Sequence, residues 1–526
     1  TPDQFKIMGR HVQRHDLPSK VDGTATFALD VRLPDMLYAT VKRAPTFGGG
    51  VDNIDDTQTR TIKGVIDVVR LPAAEVSALI GGFSTEESVA VVAEGYWQAK
   101  RGLDALNIEW AATDNDSVSS DAIFAQFDRD ISAGIDRQAD VSQGDLTTSM
   151  ANASQIIEAE YQVPFLAHTC MEPLNATAVV KDGFCEIWIG CQSPLSFRQA
   201  VADSLGFDVE NVTLNNCFMG GGFGRKSRPD YAIQAAQLAA KVGRPVQLIW
   251  SREEDVQQDF YRPAVQSRFR GALDDNGNLT AWENTYAGKM EPVEAPLIPY
   301  TVAVKDIGHV ASPTHVPLGA WRSVDHSQHG FFTESFIDEV AVAAGQDSYE
   351  YRVARLQHLP RQLAVLRKAA TEAQWDVPLA PGRGRGIALQ ESFGSIVAEV
   401  VEVTVSDGNL SVDRVVAVID AGYAISPDGM KAQIESGIIY GLSAALYGEI
   451  TIKDGAVAQS NFHDYSSLRM SKAPTIETHI INSGEVMGGA GEPGTPPIAP
   501  ALANAIFNAT GERIRQLPIK NAMFSV

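Results

Sequence analysis

A strand-like run at residues 186–190, a glycine-rich stretch at 220–224, a helical segment and a second strand at 246–250 follow one another in the middle of the chain. That succession constrains the fold more than any other feature. A strand that feeds a helix through glycines, and a helix that feeds another strand, is α/β architecture, with helices packed on a sheet. Local signals agree. Ser193-Pro194 offers an N-cap serine and a proline at the first helical position, and the helix they open runs to Leu205 and stops at Gly206. Residues 212–215 read as the next strand, and a helix from about Pro229 to Val242 ends at Gly243.

Similar patterns extend to both sides. Short strands are expected at 37–42 and 89–93, and a helix at 96–106 with Tyr96, Ala99, Leu103 and Leu106 on one face. Residues 19–114 therefore read as a self-contained small α/β domain, preceded by an N-terminal strand or arm over 1–18. Residues 115–150 are polar and read as a connector. A first large domain is expected over 151–378. A second, over 379–526, opens with the Pro- and Gly-rich stretch 379–386. There the β-branched runs 396–405 and 410–419 flank Ser406-Asp407-Gly408-Asn409, a turn with hairpin chemistry. A helix at 430–446, a strand at 475–481, another glycine-rich loop and a helix at 497–510 ending at Gly511 complete the chain.

The 526 residues exceed one hydrophobic core, and length alone predicts two to four domains. A net charge of −22 repels phosphate backbones and excludes nucleic acid as a partner. No apolar run is long enough to span a bilayer, and no secretory signal opens the sequence. The first residue is Thr1 rather than Met, so an upstream portion is expected to have been removed or left out. Cys170, Cys185, Cys191 and Cys217 show no C-x-x-C spacing, so zinc or an iron–sulfur cluster has no scaffold. Cys185 and Cys191 would stand about 20 Å apart along one strand, too far for a disulfide. All four read as thiols, mostly buried. His326 and His329 lack a third ligand, which argues against a metal site.

Three stretches carry chemistry. Met219-Gly220-Gly221-Gly222-Phe223-Gly224-Arg225 allows close backbone approach to a ligand at a helix start, where amides favour an anion or an electron-rich oxygen. It is not dinucleotide spacing, and alone it is equally a structural turn. Gly488-Gly489-Ala490-Gly491-Glu492-Pro493-Gly494-Thr495-Pro496-Pro497 presents one acid on a loop stiffened by proline. The helix that follows stabilises such a carboxylate by about 0.3–1 kcal/mol. Alone it is equally a surface turn. Gly319-Ala320-Trp321-Arg322-Ser323 sets Trp beside Arg, as any packed cation pair would.

In order, these motifs resemble the signatures of molybdenum-binding large subunits of the xanthine dehydrogenase and aldehyde oxidoreductase family. His168-Thr169-Cys170-Met171-Glu172-Pro173, with Asn175, is similar to the start of that family's first molybdenum-binding domain. The resemblance implies roles. Gln192, in Gly190-Cys191-Gln192-Ser193-Pro194, would hydrogen-bond the metal group. Gly222, Phe223, Gly224 and Arg225 would form the loop over it, and Arg322 would approach it through its backbone. Gln433, in Gln433-Ile434-Glu435-Ser436-Gly437, and Gly491 would bind the cofactor, and Glu492 would be the catalytic base. Residues 19–114 resemble the family's hammerhead-type α/β domain, and 151–378 and 379–526 its two molybdopterin-binding domains. No side chain would ligate the metal directly, because the pterin holds it.

Departures refine the expectation. Members with the ordinary domain order carry a Met-Gly-Gln-Gly cofactor loop after the first molybdenum domain, and this chain does not. It is similar to the isoquinoline 1-oxidoreductase beta-subunit type, often named aldehyde dehydrogenases. In that type the loop lies upstream of the segment resembling Phe5-Lys6-Ile7-Met8-Gly9-Arg10. A second chain or fragment is therefore expected to supply the missing loops. Ser227 stands where purine-oxidising members place an acid, and Val324 replaces a pocket aromatic beside Trp321, so purines are disfavoured. The resemblance implies molybdenum on a molybdopterin cytosine dinucleotide and a small iron–sulfur partner bearing [2Fe-2S] clusters. The implied reaction oxidises an aldehyde to a carboxylic acid with water as oxygen source. The alternative is hydroxylation of an isoquinoline-type N-heteroaromatic. A family-derived scaffold without catalysis is disfavoured by the intact Glu492 and Gln192. Relatives of this type are often exported folded, so the periplasm is the expected location, with the cytoplasm as alternative.

Overall fold

The computed structural model describes residues 4–76, 83–289, 294–521 and 524. A seven-stranded sheet runs in the order Val212–Asn216, Phe184–Ile189, Asn175–Lys181, Val246–Ile249, Leu37–Arg43, Ser88–Ala93, Val65–Leu71. Helices α1 (Tyr96–Asp104), α2 (Pro194–Leu205) and α3 (Asp230–Val242) pack against it. Helix α2 begins and ends where the sequence places it, with Gly206 at φ 67°, but Ser193 makes no side-chain capping bond.

This sheet crosses the expected domain boundary. Leu37–Arg43 lies parallel to Val246–Ile249, with Tyr38 opposite Gln247. Leu37, Ala39 and Val41 share one apolar cluster with Ile187, Tyr231 and Leu248. Residues 19–114 are therefore not self-contained. Ser88–Ala93 is buried along its whole length, as a strand inside a sheet covered on both faces is.

Residues 115–150 are not a bare connector either. Helix Ser120–Ala133 buries Ile123, Phe127 and Ile131, and Ser119 accepts from Ala122 N as its N-cap. Strand Gln138–Gln143 then forms the edge of a five-stranded sheet completed by Val304–Val310, Leu279–Ala287, Val265–Leu273 and Gln155–Val163. Helix α4 (His326–Ala343) lies on that sheet, with Phe336 4.9 Å from the rings of Phe269 and Trp282.

A four-stranded sheet holds Arg383–Ser392, Ser395–Ser406, Asn409–Asp420 and Thr475–Ile481. Its hairpin turns at Asp407 and Gly408, with φ of 52° and 75°, the two left-handed residues of a type I′ turn. Helices α5 (Pro427–Leu446) and α6 (Ile498–Thr510) accompany it, and one core joins this sheet to the five-stranded one through Phe336, Val400, Leu442 and Leu502. Strand Arg383–Ser392 begins inside the stretch 379–386. Thr1 lies outside the described residues. From Gln4 the arm is irregular rather than a strand and runs beside the 423–428 segment, with Gly9 N donating to Ile425 O at 2.8 Å. All four cysteines are free thiols, three of them buried.

One core residue breaks the pattern. Glu399, on strand Ser395–Ser406, is 0% exposed, and neither carboxylate oxygen has a hydrogen-bond partner among the described residues. Burial pushes its carboxyl well above the ordinary value of 4.5. The unfolded chain ionises Glu399 from that value upward while the folded chain keeps it neutral. Its contribution to stability is thus fully present below that range and falls by about 1.4 kcal/mol per pH unit above it, until the folded group ionises. Glu399→Leu is expected to raise the melting temperature, with a gain that grows between pH 5 and pH 7. A gain independent of pH would show that Glu399 is already charged in the fold.

Candidate active site

The glycine-rich loop is held by the irregular segment before Pro173. Glu172 N donates to Gly220 O at 3.0 Å. Glu172 Oε2 accepts from Gly220 N at 2.8 Å and from Lys226 Nζ at 2.8 Å. Burial raises the Glu172 carboxyl, but the Lys226 ammonium, the Gly220 amide and Asn175 together outweigh it and hold the group below its ordinary range. Cys170 Sγ donates to Gly222 O at 3.4 Å. A Cβ on Gly224, whose φ is 112°, would stand 1.4 Å from Ala320 O. Glycine is required there by close approach of two backbones as well as by conformation.

Gln192 reaches the same loop, its Oε1 accepting from Gly224 N at 3.0 Å. Phe223, at φ 52°, stacks on Tyr440 of α5 at 4.4 Å, and Tyr440 stacks on Trp321 at 4.6 Å. This stack joins the 220–224 loop, α5 and the 319–324 loop. Phe223, Tyr440 and Trp321 line a cavity of about 760 Å³ together with Thr169, Glu435 and Ser436. Glu492, Gln192, Val324 and Ser227 do not line it.

Arg322, 5% exposed, is the hub of the second half. Its Nε donates to Gly491 O at 2.8 Å, Nη1 to Ser436 Oγ at 3.0 Å, and Nη2 to both O and Oε1 of Gln433 at 3.1 Å. Burial pulls its guanidinium below the ordinary range. Ser323 holds the acid: its N donates to Glu492 Oε1 at 3.0 Å and its Oγ to Glu492 O at 2.8 Å. Ser323 and Val324 sit at φ 79° and 41°. Such left-handed non-glycine residues cost about 1–3 kcal/mol each and persist only where surrounding contacts fix them.

Hydrogen bonds and ring contacts thus link Gln192, Gly222, Phe223, Gly224, Trp321, Arg322, Gln433, Gly491 and Glu492 into one network, of which Phe223 and Trp321 face the cavity. Two expected members stand otherwise. Arg225 is 1% exposed, and its guanidinium is spent on Asp230, at 2.9 and 2.8 Å, so its side chain braces the loop from behind instead of facing a cofactor. Ser227 Oγ turns back to donate to Gly224 O at 2.6 Å and is not a free pocket wall. Val324 remains half-buried at the start of α4. His326 and His329 are buried on α4, and among the described residues no three His, Cys, Asp or Glu side chains gather around a point that could hold an ion. Sequence reasoning missed Ser323 and Tyr440. It also missed how Cys170 and Glu172 grip the glycine-rich loop, because the segment that carries them is irregular, with Thr169 at φ 47°, and has no periodic signal.

Comparison with known proteins identifies the family and the fold. Two models described as molybdopterin cofactor-binding domain match residues 130–356 and 340–474. The chain is 31% identical to isoquinoline 1-oxidoreductase subunit beta of Brevundimonas diminuta, over 99% of this chain and 69% of that protein. It is 30% identical to a Gluconacetobacter polyoxogenes protein named membrane-bound aldehyde dehydrogenase (pyrroloquinoline-quinone), over 96% of this chain and 71% of that one. The fold superposes on quinoline 2-oxidoreductase from Pseudomonas putida 86 with a TM-score of 0.83 and 15% identity, covering 98% of this chain and 97% of that one. The chain belongs to the family of molybdopterin-binding subunits of molybdenum-containing oxidoreductases that includes aldehyde, heteroaromatic and xanthine dehydrogenases.

Proposed function

We propose that this subunit oxidises an aldehyde to a carboxylic acid, with water as oxygen source, and passes electrons to an iron–sulfur partner. One observation carries the reading. The carboxylate of Glu492 is fixed by Ser323 N on the same loop whose Ala320 abuts Gly224, the partner of Gln192. The donor set fits an oxygen-rich cofactor. Gln192 spends only Oε1 on the loop and keeps its amide donors, the glycines leave no Cβ in the way, and Glu492 keeps Oε2. Gln192 and the 222–224 backbone would hold the group on one side, Gln433 and Gly491 on the other. When bound, the molybdenum group, read here as a molybdopterin cytosine dinucleotide, supplies the two-electron oxidation. Glu492 Oε2 takes the proton lost as water becomes the nucleophile, a role worth about 10²–10⁴-fold.

Burial pushes the Cys170 and Cys185 thiols up to about 12 and Cys191 to about 11, in keeping with packed thiols. The iron–sulfur centres of this reading belong to a partner chain. The two relatives are matched over 69% and 71% of their lengths, and a further segment or chain is proposed to bring the Met-Gly-Gln-Gly loop to the cleft. Ser227 is spent on Gly224 O and Val324 is apolar, which supports an aldehyde over a purine. Hydroxylation of an N-heteroaromatic is the second reading, favoured by the likeness to the Brevundimonas diminuta protein. The assembled complex, turned over with benzaldehyde and with isoquinoline and a dye acceptor, is expected to favour the aldehyde by at least about tenfold in kcat/KM. The reverse preference would establish the second reading.

A further inference from the structure

Behind the joint between the two loops lies one imidazole. His168 is 1% exposed. Its Nδ1 lies 2.9 Å from Asp259 Oδ2, and its Nε2 lies 2.9 Å from the Ala320 carbonyl. Both partners are acceptors, and they face the two ends of the ring. The backbone is equally committed: His168 N donates to Asp259 Oδ2 at 2.6 Å, and His168 O accepts from Tyr440 OH at 3.1 Å. Asp259 is itself fixed, accepting from Phe260 N at 2.8 Å with Arg225 Nε 3.1 Å away. The ring therefore bridges an immobile carboxylate and the carbonyl that touches Gly224. Its main chain carries the hydroxyl of the central ring in the Phe223–Tyr440–Trp321 stack.

We propose that His168 is a positioning residue that sets the Ala320–Ser323 backbone, and through Ser323 N the carboxylate of Glu492; this rests on the reading of Glu492 as the base. The segment it pins leads into Ser323 and Val324, whose left-handed backbone needs support from both ends. Arg322 supplies support toward Gly491 and α5. Gly319 N, bonded to Tyr261 O at 2.9 Å, and the Ala320 carbonyl supply it at the other end. A shift of about 1 Å in a group that orients a catalytic residue costs up to about a hundredfold in rate.

The two ends of the imidazole can be removed separately. In His168→Asn the side-chain amide replaces Nδ1, keeping the Asp259 bond and losing Ala320. In His168→Gln it replaces Nε2, keeping Ala320 and losing the direct Asp259 bond. In the complete complex, His168→Asn is expected to lower kcat by about tenfold or more, with KM within about threefold. It should also speed hydrogen exchange about tenfold in the peptide covering 319–325, with the peptide covering 120–133 unchanged. His168→Gln should stay within about threefold of wild type in each respect. A glutamine variant as impaired as the asparagine variant, or unchanged exchange in the asparagine variant, would overturn the proposal. Should the asparagine variant not fold, the glutamine variant decides alone: kcat within about threefold supports the bridge to Ala320, and a loss beyond about tenfold refutes it. A wild-type complex with neither molybdenum nor turnover would sink the reading of Glu492, and the exchange of the 319–325 peptide would then judge the role of His168 in the loop by itself.

Discussion

Glu492→Gln is expected to give a folded complex that retains its molybdenum and turns over about 10²–10⁴-fold more slowly. The amide is isosteric. Its oxygen still accepts from Ser323 N, and the Ser323 Oγ bond to the main-chain carbonyl of residue 492 is untouched. What disappears is the proton acceptor at the second oxygen. The effect should therefore fall on kcat, with little change in KM, because an interaction needed only in the transition state has been removed. Glu492→Asp separates position from chemistry. It keeps a carboxylate but shortens the reach to Ser323 N, so a loss intermediate between wild type and the glutamine variant is expected. Molybdenum content by elemental analysis must be measured beside the rate. A Gln variant with full metal and a rate within tenfold of wild type would remove Glu492 from its assigned role, whereas loss of metal would make it a cofactor-retention residue.

The parts of this protein that sequence reveals are those encoded by neighbours in the chain. The α/β class follows from one strand, loop and helix succession, and Thr475–Ile481 and the hairpin at Asp407-Gly408 appear where local chemistry puts them. The helix Ser120–Ala133 is hard to read because its buried stripe of Ile123, Phe127 and Ile131, with Phe124 beside it, is short and lies between polar flanks. The joining of Leu37–Arg43 to Val246–Ile249 left no trace in either segment, since a strand that pairs two hundred residues away looks like any other. Helix α4 is buried around most of its girth yet carries Glu334, which is satisfied by Tyr300 OH at 2.6 Å and Arg352 Nε at 3.0 Å. Its polarity hides its burial. The same holds at the site. Glu492 and the glycine loop stand out by composition, but the serine that holds the acid is 169 residues away. Arg225 sits in a loop motif, and its engagement by Asp230 and Asp259 becomes visible only in three dimensions.

Gly224→Ala should be the most damaging single methyl group that can be added to the cleft. The new Cβ would stand 1.4 Å from Ala320 O and 2.5 Å from Ala320 C, with His168 Nε2 at 3.2 Å. The first two obstacles are backbone, which cannot rotate away as a side-chain end can, and φ 112° is unfavourable to any L side chain. Gly206→Ala is the control: it shares a positive φ, 67°, but nothing lies within 4 Å of its Cβ. That change should cost about 1 kcal/mol, the ordinary penalty for alanine in a left-handed C-cap. At Gly224 the two loops must part. Parting them breaks the bond from Gly224 N to Gln192 and moves the carbonyl that His168 holds, yet leaves the three sheets and their cores in place. Molybdenum content should consequently fall to a small fraction of wild type while the far-ultraviolet spectrum is kept. The drop in melting temperature should exceed that of Gly206→Ala by several degrees, the size expected of a change costing about 4 kcal/mol or more. A Gly224→Ala protein that holds metal and melts like the Gly206→Ala control would mean that the glycine loop and the Ala320 backbone do not touch, and the path from Gln192 to Glu492 would have to run elsewhere.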